Sequence, residues 1–429
     1  MQNSNSLWSN VTKKRVPHAP LKEELETDIA IIGGGFTGLS TALHLLNEGQ
    51  KVSIIEAAEI GFGASGRNSG QVIPTMSGTE PDAIIKKHGK AGLRFAKLIA
   101  NSAQYLFDIV KDENIACEAK QNGWFQPAHT PGRLNLSKKR VEAWSKLGGN
   151  VSLLNAKESA DLIGSDQWYG GLLCHSGGHI NPLALVHGLA ANVKKQGGQL
   201  FENTPALTLN KVKSKWHIKT AEGLIIANKV MLATNAYTDQ FERNLSPKQS
   251  RSIIPVVTYQ MATEPLNKAL RETILPEDHA VSDTRGDLRF FRWDARNRLI
   301  TGGALINQRD AETRLKDIIG ERLNQTFPNL GKPKFDYVWS GRIGMTADRM
   351  PRFYNPEPGL WSWTACNGRG VALSISLGNA FAKALTGTPI DELPIPITPI
   401  RPYPLHSVGT EVAPKLLAYY RWRDNREVA

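Results

Sequence analysis

Cysteine is scarce in this chain of 429 residues. Cys117, Cys174 and Cys366 stand far apart and form no C-x-x-C pair, which excludes a disulfide framework and a thiolate zinc site and fits a reducing compartment. Long apolar runs are missing too; none reaches the roughly 18–20 residues of a membrane span. No block of one charge sign occurs. The 52 basic residues exceed the 40 acidic ones, for a net +12, yet they are scattered rather than gathered into the stripe that nucleic acid requires. An anionic cofactor or an acidic substrate suits that balance. Residues 1–27 carry Lys13, Lys14 and Arg15 with no apolar stretch after them, so they do not read as a secretory signal, and a cytoplasmic protein is expected. No internal repeat is visible. Apolar residues at 41% and charged ones at 21% describe a globular chain long enough for two or three domains.

What is present begins after a polar arm, residues 1–27, expected to lie on the surface or fray. Residues 28–32 (DIAII) form a short apolar run of the kind found in buried parallel strands. Gly33-Gly34-Gly35-Phe36-Thr37-Gly38 follows, fitting G-x-G-x-x-G. Leu39, Ala42, Leu43 and Leu46 then share one face of a helix over 37–48, and a second strand over 52–55 closes at Glu56. The glycines serve separate ends. Gly33 permits the tight turn, Gly35 allows close approach to a pyrophosphate, and Gly38 lets the helix pack closely. The helix N-terminus offers N–H groups to phosphates, and Glu56 can accept hydrogen bonds from a ribose diol. Strand, helix and acid agree on a dinucleotide site.

Further helical patterns run over 81–113, 134–147, 182–196, 311–326 and 371–385, with strands expected near Trp216 and Ile226, over 230–233 and over 361–364. Residues 252–304 are rich in β-formers. The last forty residues hold many prolines and read as an extended strap ending in a helix near 416–420.

Two more segments carry chemistry. Residues 61–71 (GFGASGRNSGQ) are rich in glycine; alone they read as a flexible loop, but they also suit a wrap around an extended ligand with Ser65, Arg67, Asn68 and Ser69. Far along the chain, Asn367-Gly368-Arg369-Gly370-Val371 opens a second helix, a second positive helix end that suits the charge gathering at the N1–C2=O locus of a reduced flavin.

These three segments, in this order, resemble the FAD-dependent D-amino-acid oxidase and glycine/sarcosine oxidase superfamily, and GASGRNSGQ is most similar to the branch containing gamma-glutamylputrescine oxidases. The resemblance runs from about Asp28 to Gly387. It implies an α/β protein: a Rossmann-like FAD-binding domain of the glutathione-reductase type with an antiparallel β-sheet domain capping the flavin. The implied boundaries are 28–90, 165–245 and 335–388 for the FAD domain, 91–164 and 246–334 for the substrate domain, and 389–429 for the strap. Ala206 matches the family's adenine-contacting position, Thr234 a FAD-contacting strand end, and Gly70, Gln71 and Gly341 the flavin wall. No cysteine stands in 339–351, so FAD is expected to be held without a covalent bond.

The resemblance also implies a reaction: hydride passes from the C–H next to an amine nitrogen to flavin N5, giving an imine. The hard electronic work belongs to the cofactor. Arg342, in Trp339-Ser340-Gly341-Arg342, resembles the arginine that clamps a substrate carboxylate in glycine oxidases; pairing with Asp336 or Asp348 is the structural alternative, and both stay open. Tyr259 is a candidate facing the flavin from a cap strand, with an ordinary sheet aromatic as its alternative. Gln71 is the third catalytic candidate. Arg292 could meet an acidic substrate or solvent, and His175 with His179 makes a poor metal site, so no metal is expected. The expected partners are a small amine or amino acid and oxygen or another electron acceptor. Nucleic acid and membrane are not expected, although Tyr419-Tyr420-Arg421-Trp422-Arg423 leaves membrane contact conceivable. A dehydrogenase serving a quinone or protein acceptor, and a non-catalytic flavin-binding assembly factor, are the rival readings.

Overall fold

The computed structural model describes residues 6–243 and 245–428, apart from the side chain of Val428. Two eight-stranded sheets organise it. In the first, Glu24–Ile32 lies parallel between Val52–Ile55 and Leu224–Leu232, extended by Gln199–Phe201 on one side and Leu360–Thr364 on the other. All four residues of Val52–Ile55 are buried, as expected of a parallel strand covered on both faces. Helices Phe36–Asn47 and Val371–Thr386 lie side by side on this sheet, with Ser40 Oγ donating to the Ile375 carbonyl at 2.8 Å. The long helix Pro81–Asp112 joins the same core, where Phe95 meets Phe353 edge-on at 5.1 Å between ring centroids.

The second sheet runs in the order Phe335–Met345, Ile254–Thr263, Leu299–Gly303, Phe290–Trp293, Ala280–Ser282, Trp124–Pro127, Gly170–Cys174 and Val151–Asn155. Every neighbouring pair is antiparallel except Ala280–Ser282 with Trp124–Pro127. One face packs Phe291 and Trp293, with Trp168, against Leu323 of helix Ala311–Thr326. The other meets Trp8 and Leu183 through Ala262, Ile300 and Trp339. The α/β expectation, cofactor sheet plus cap sheet, holds.

Three expectations are corrected. The arm is not a loose surface segment: Leu7–Val11 is a helix whose Leu7 and Trp8 are fully buried. Trp8 Nε1 donates to the Asn68 carbonyl at 2.9 Å, its ring packs edge-on against Trp339, and the Arg292 guanidinium lies 4.9 Å from its centroid. Two apolar residues in a polar run give no periodic signal, so only their tertiary partners reveal them. The first strand starts at Glu24 rather than Asp28, because Glu24 to Thr27 pair with Leu224 to Ala227. The implied boundaries also shift: the helical segment Pro81–Asp112 is broken at Gly89 (φ 56°, ψ −131°), yet Phe95, Ala96 and Ile99 beyond the break still pack in the first core. Strands Gly170–Cys174 and Phe335–Met345 belong to the cap sheet, not the cofactor sheet. Pairing between distant segments decides sheet membership, and composition does not register it. Within the strap, the tail forms two helices, His406–Val412 and Leu416–Val428.

Candidate active site

The starts of the two adjacent helices open on one cavity. Gly33, Gly35, Phe36 and Thr37 line it from the first, and Gly368, Arg369, Gly370, Val371 and Ser374 from the second. Neither Gly35 nor Gly370, the residues just before the helices, supplies a side-chain cap. Two positive helix ends therefore converge there. Trp363 Nε1 donates to Thr37 Oγ1 at 3.1 Å and ties the last strand to the first helix. Gly33 has φ +116°, and a Cβ there would sit 3.0 Å from the Ala233 carbonyl oxygen, so the turn out of the strand demands glycine. Gly38 does not line the cavity. A Cβ on it would fall 2.1 Å from the Gly33 carbonyl oxygen, so this glycine packs the helix against the turn.

Glu56 borders the cavity beyond the first turn, near Thr204, Ala206 and Thr234. Burial pushes its carboxyl pKa up, and hydrogen bonds from the Gly34 N–H at 2.8 Å and the Ala58 N–H at 3.1 Å oppose that rise. The carboxylate keeps lone pairs for a diol. Thr234 Oγ1 shares a 2.7 Å hydrogen bond with Thr238 Oγ1.

The 61–71 loop wraps the same cavity through Ser65, Arg67, Asn68, Ser69 and Gln71. Ser65 Oγ accepts from the Phe36 N–H at 3.0 Å. Asn68 clamps the loop, donating to the Ala64 and Ser65 carbonyls and accepting from the Gly70 N–H at 2.8 Å. Arg67 Nε donates to the Phe62 carbonyl at 2.6 Å with its guanidinium over the Phe62 ring. Gln71 Nε2 donates to the Val281 carbonyl at 3.0 Å, so it ties the loop to the cap. Gly70 and Asn367 do not line the cavity. Asn367 Oδ1 accepts from the Thr346 N–H at 2.9 Å, which makes it a brace for the second loop rather than a cofactor contact. Arg369 lines the wall, bonded to Thr75 Oγ1 and to the Met76 carbonyl at 2.8 Å, over the Trp124 ring; burial lowers its pKa to about 9.

Arg292 is buried and does not line the cavity. It is 2% exposed and donates to the Ser69 and Ile180 carbonyls and to His179 Nδ1 at 3.1 Å. Since arginine only donates, His179 carries its proton on Nε2 and gives it to the Asp278 carbonyl at 3.1 Å. Burial lowers the His179 pKa, so this strut holds a neutral imidazole. Among the described residues no group of three or more His, Cys, Asp or Glu is placed to hold a metal.

The cap wall requires the largest correction. In the ladder of Ile254–Thr263 with Phe335–Met345, Val257 faces Arg342 and Tyr259 faces Ser340, while Thr258 faces Gly341 and Gln260 faces Trp339. Directly opposed residues share a face, and neighbours along a strand alternate. Thr258, Gln260, Gly341 and Ile343 line the cavity, whereas Tyr259 packs into the core on the far side of the sheet. By the same alternation the Arg342 side chain leaves on that far face, at the sheet's edge strand. Its main-chain N–H donates to Tyr237 Oη at 3.0 Å, and there Arg342 borders the cavity. The pairing alternative also fails: Asp336 faces Arg298, and Asp348 binds Lys87 and Arg352. Arg342 has no carboxylate partner among the described residues.

Sequence reasoning missed Gln260, Thr258, Tyr237 and Cys366, all on the cavity wall. Two polar residues spaced by two in the otherwise apolar strand IPVVTYQMAT were the available signal for the first pair. The Gln260 carboxamide oxygen is buried and makes no hydrogen bond among the described residues. Burial pushes the Cys366 thiol pKa up, so it stays protonated. Two helix ends for anionic oxygens, a ribose acceptor and a long glycine wrap are a donor set that fits FAD.

Comparison with known proteins agrees with that geometry. The family model described as FAD dependent oxidoreductase, DAO, matches residues 28–384. Gamma-glutamylputrescine oxidoreductase of Escherichia coli (strain K12) is 32% identical over 389 residues, covering 90% of each chain. Among solved structures, L-proline dehydrogenase from P. horikoshii superposes with a TM-score of 0.71 at 18% identity, over 89% of this chain and 96% of that one. Glycine oxidase from Geobacillus kaustophilus gives 0.69 at 19% identity, over 84% and 95%.

Proposed function

This chain belongs to the DAO family of FAD-dependent oxidoreductases, and from that premise we propose that it oxidises an amine whose carboxylate lies far from the reacting carbon, as in a gamma-glutamyl polyamine. Bound FAD supplies a two-electron acceptor for hydride from the C–H next to nitrogen, leaving an imine. Gly33, Gly35, Thr37, Glu56, Ser65 and Ala206, which line the cavity, would hold its nucleotide half, and Gly370 and Val371 would offer a helix N-terminus to its flavin half.

The supporting observation is the cap wall. Thr258, Gln260, Gly341 and Ile343 put neutral groups over the cavity, where an α-amino acid would need a cation for its carboxylate. A neutral amine needs only a partner that orients its lone pair away from the leaving hydride. The Gln260 carboxamide oxygen, with its hydrogen bonds unspent, can do that by accepting the amine N–H. Arg342 stands opposite Val257, three residues along the strand from Gln260. At the rise of a β-strand that separation is about 10 Å, a span that an extended acylated diamine covers. Phe335–Met345 is the edge strand, so the long Arg342 side chain, which leaves on the far face, would turn round that edge to bring its guanidinium fork to a distant carboxylate.

The test is anaerobic mixing of the holoenzyme with gamma-glutamylputrescine, putrescine, glycine, sarcosine and proline, following loss of the yellow absorbance. Fast bleaching by the acylated diamine alone supports the reading; bleaching by glycine, sarcosine or proline in its place overturns it. Hydrogen peroxide release in air then separates an oxidase from a dehydrogenase serving another acceptor.

A further inference from the structure

Of the fourteen large apolar residues exposed among the described residues, six lie between Leu405 and Trp422. They are Leu405, Val408, Val412, Leu416, Tyr419 and Trp422, exposed by 77%, 51%, 45%, 48%, 52% and 51%. Their spacing of three and four residues is that of one helix face. The backbone stays right-handed helical at Val412, Ala413 and Leu416, where the single turn Ala413–Lys415 joins the two tail helices, so the five from Val408 onward follow one another along one side, with Leu405 just ahead of the first helix.

The opposite side is anchored. Leu417 and Asp424 are buried, Tyr420 Oη accepts from Arg349 Nη2 at 2.8 Å, and Arg421 Nε donates to Asp287 at 2.7 Å. His406 Nε2 bonds the Ile253 carbonyl at 2.7 Å, and Tyr403 Oη accepts from the Ala347 N–H at 3.0 Å. The outer stripe is therefore held open to water by a helix that cannot roll inward. It also sits at the ends of the two strands that roof the cavity.

Charge identifies what covers it. The exposed charged residues from 401 to 426 are Arg401, Lys415 and Arg426 against the lone carboxylate of Glu411; Glu427, just beyond, is already paired with Arg133. The Arg426 guanidinium lies 4.6 Å from the Trp422 ring centroid, and Tyr419 packs against that ring at 5.9 Å. Aliphatic residues flanked by tyrosine, tryptophan and cations make the composition of a helix lying in a lipid headgroup layer. No helix among the described residues is long and apolar enough to cross a membrane, so contact would be one-sided. We propose that the 405–426 face docks this protein on an anionic lipid surface, with the cavity roof next to the bilayer.

Flotation of the intact holoenzyme with phosphatidylcholine vesicles, with and without phosphatidylglycerol, tests this. Binding is expected only to the anionic vesicles, released as salt shortens the screening length. Tyr419→Ser with Trp422→Ser should cut the bound fraction about tenfold or more. Lys415→Glu with Arg426→Glu, on exposed positions, should do the same while leaving flavin content and melting temperature unchanged. Failure of the unaltered holoenzyme to float overturns the proposal, as does flotation indifferent to both double variants. A concentration-dependent dimer seen by light scattering, and dispersed by the same variants, would overturn it by assigning the face to a second copy.

Discussion

The two walls of the cavity recognise their ligands by different means. The cofactor wall is built from main chain: helix starts after Gly35 and Gly370, neither of which has a capping side chain, a left-handed turn at Gly33, and a glycine-rich wrap over 61–71. The cap wall works through side chains that alternate along paired strands, so a shift of one residue exchanges cavity for core. Backbone recognition tolerates no Cβ at a few positions and almost anything elsewhere. Side-chain recognition depends on register, which is a property of two strands together. One wall is thus rigidly specified, whereas the other can be retuned by single substitutions.

Substitutions on each wall sharpen that contrast. The largest effect should come from Gly38→Leu, whose Cβ would lie 2.1 Å from the Gly33 carbonyl oxygen. Overpacking of backbone on backbone should cost about 3 kcal/mol or more, giving a protein that purifies colourless or insoluble. Gln260→Leu should instead keep full yellow absorbance while kcat/KM falls roughly 10–100-fold, the loss of one hydrogen bond made in a buried site. If Gln260→Leu also lost flavin, the two walls would not be separable. Arg342→Ala should raise KM about tenfold for amines with a distant carboxylate, with kcat nearly unchanged and simple diamines unaffected.

A smaller effect lies behind the cofactor wall. Burial, reinforced by the nearby Arg15 charge, holds His187 at about 4 against 6.5 for a free imidazole. The unfolded chain therefore binds the proton first. Stability present above pH 6.5 drains away as pH falls toward 4, and His187→Gln should flatten that limb of a melting-temperature profile. Least of all should come from Tyr259→Phe, which removes a hydroxyl on the far face of the cap strand; kcat/KM should stay within about twofold. A tenfold loss there would mean that the strand's faces are reversed.

Legibility followed the same division. The Gly33–Gly38 turn, Glu56 and the 367–371 helix start were readable because a backbone requirement leaves its mark at fixed spacing in a contiguous stretch. Asn367, read as part of that helix start, braces Thr346 and does not line the cavity. Arg342 and Tyr259 were read from local context, and the ladder turned both side chains to the far face, bringing forward Thr258 and Gln260. Trp8 lies in the arm expected at the surface, yet it is a fully buried contact between the 61–71 loop and the cap.

By itself, then, the order of residues determined two glycine-marked helix starts, one near each end of the chain, since glycines and helix starts act through neighbours a few positions away. Only the tertiary structure decided which side chains roof the cavity, what the arm binds and which tail residues stay in water. Those outcomes depend on pairing and burial between segments far apart in the chain, and no local pattern carries that information.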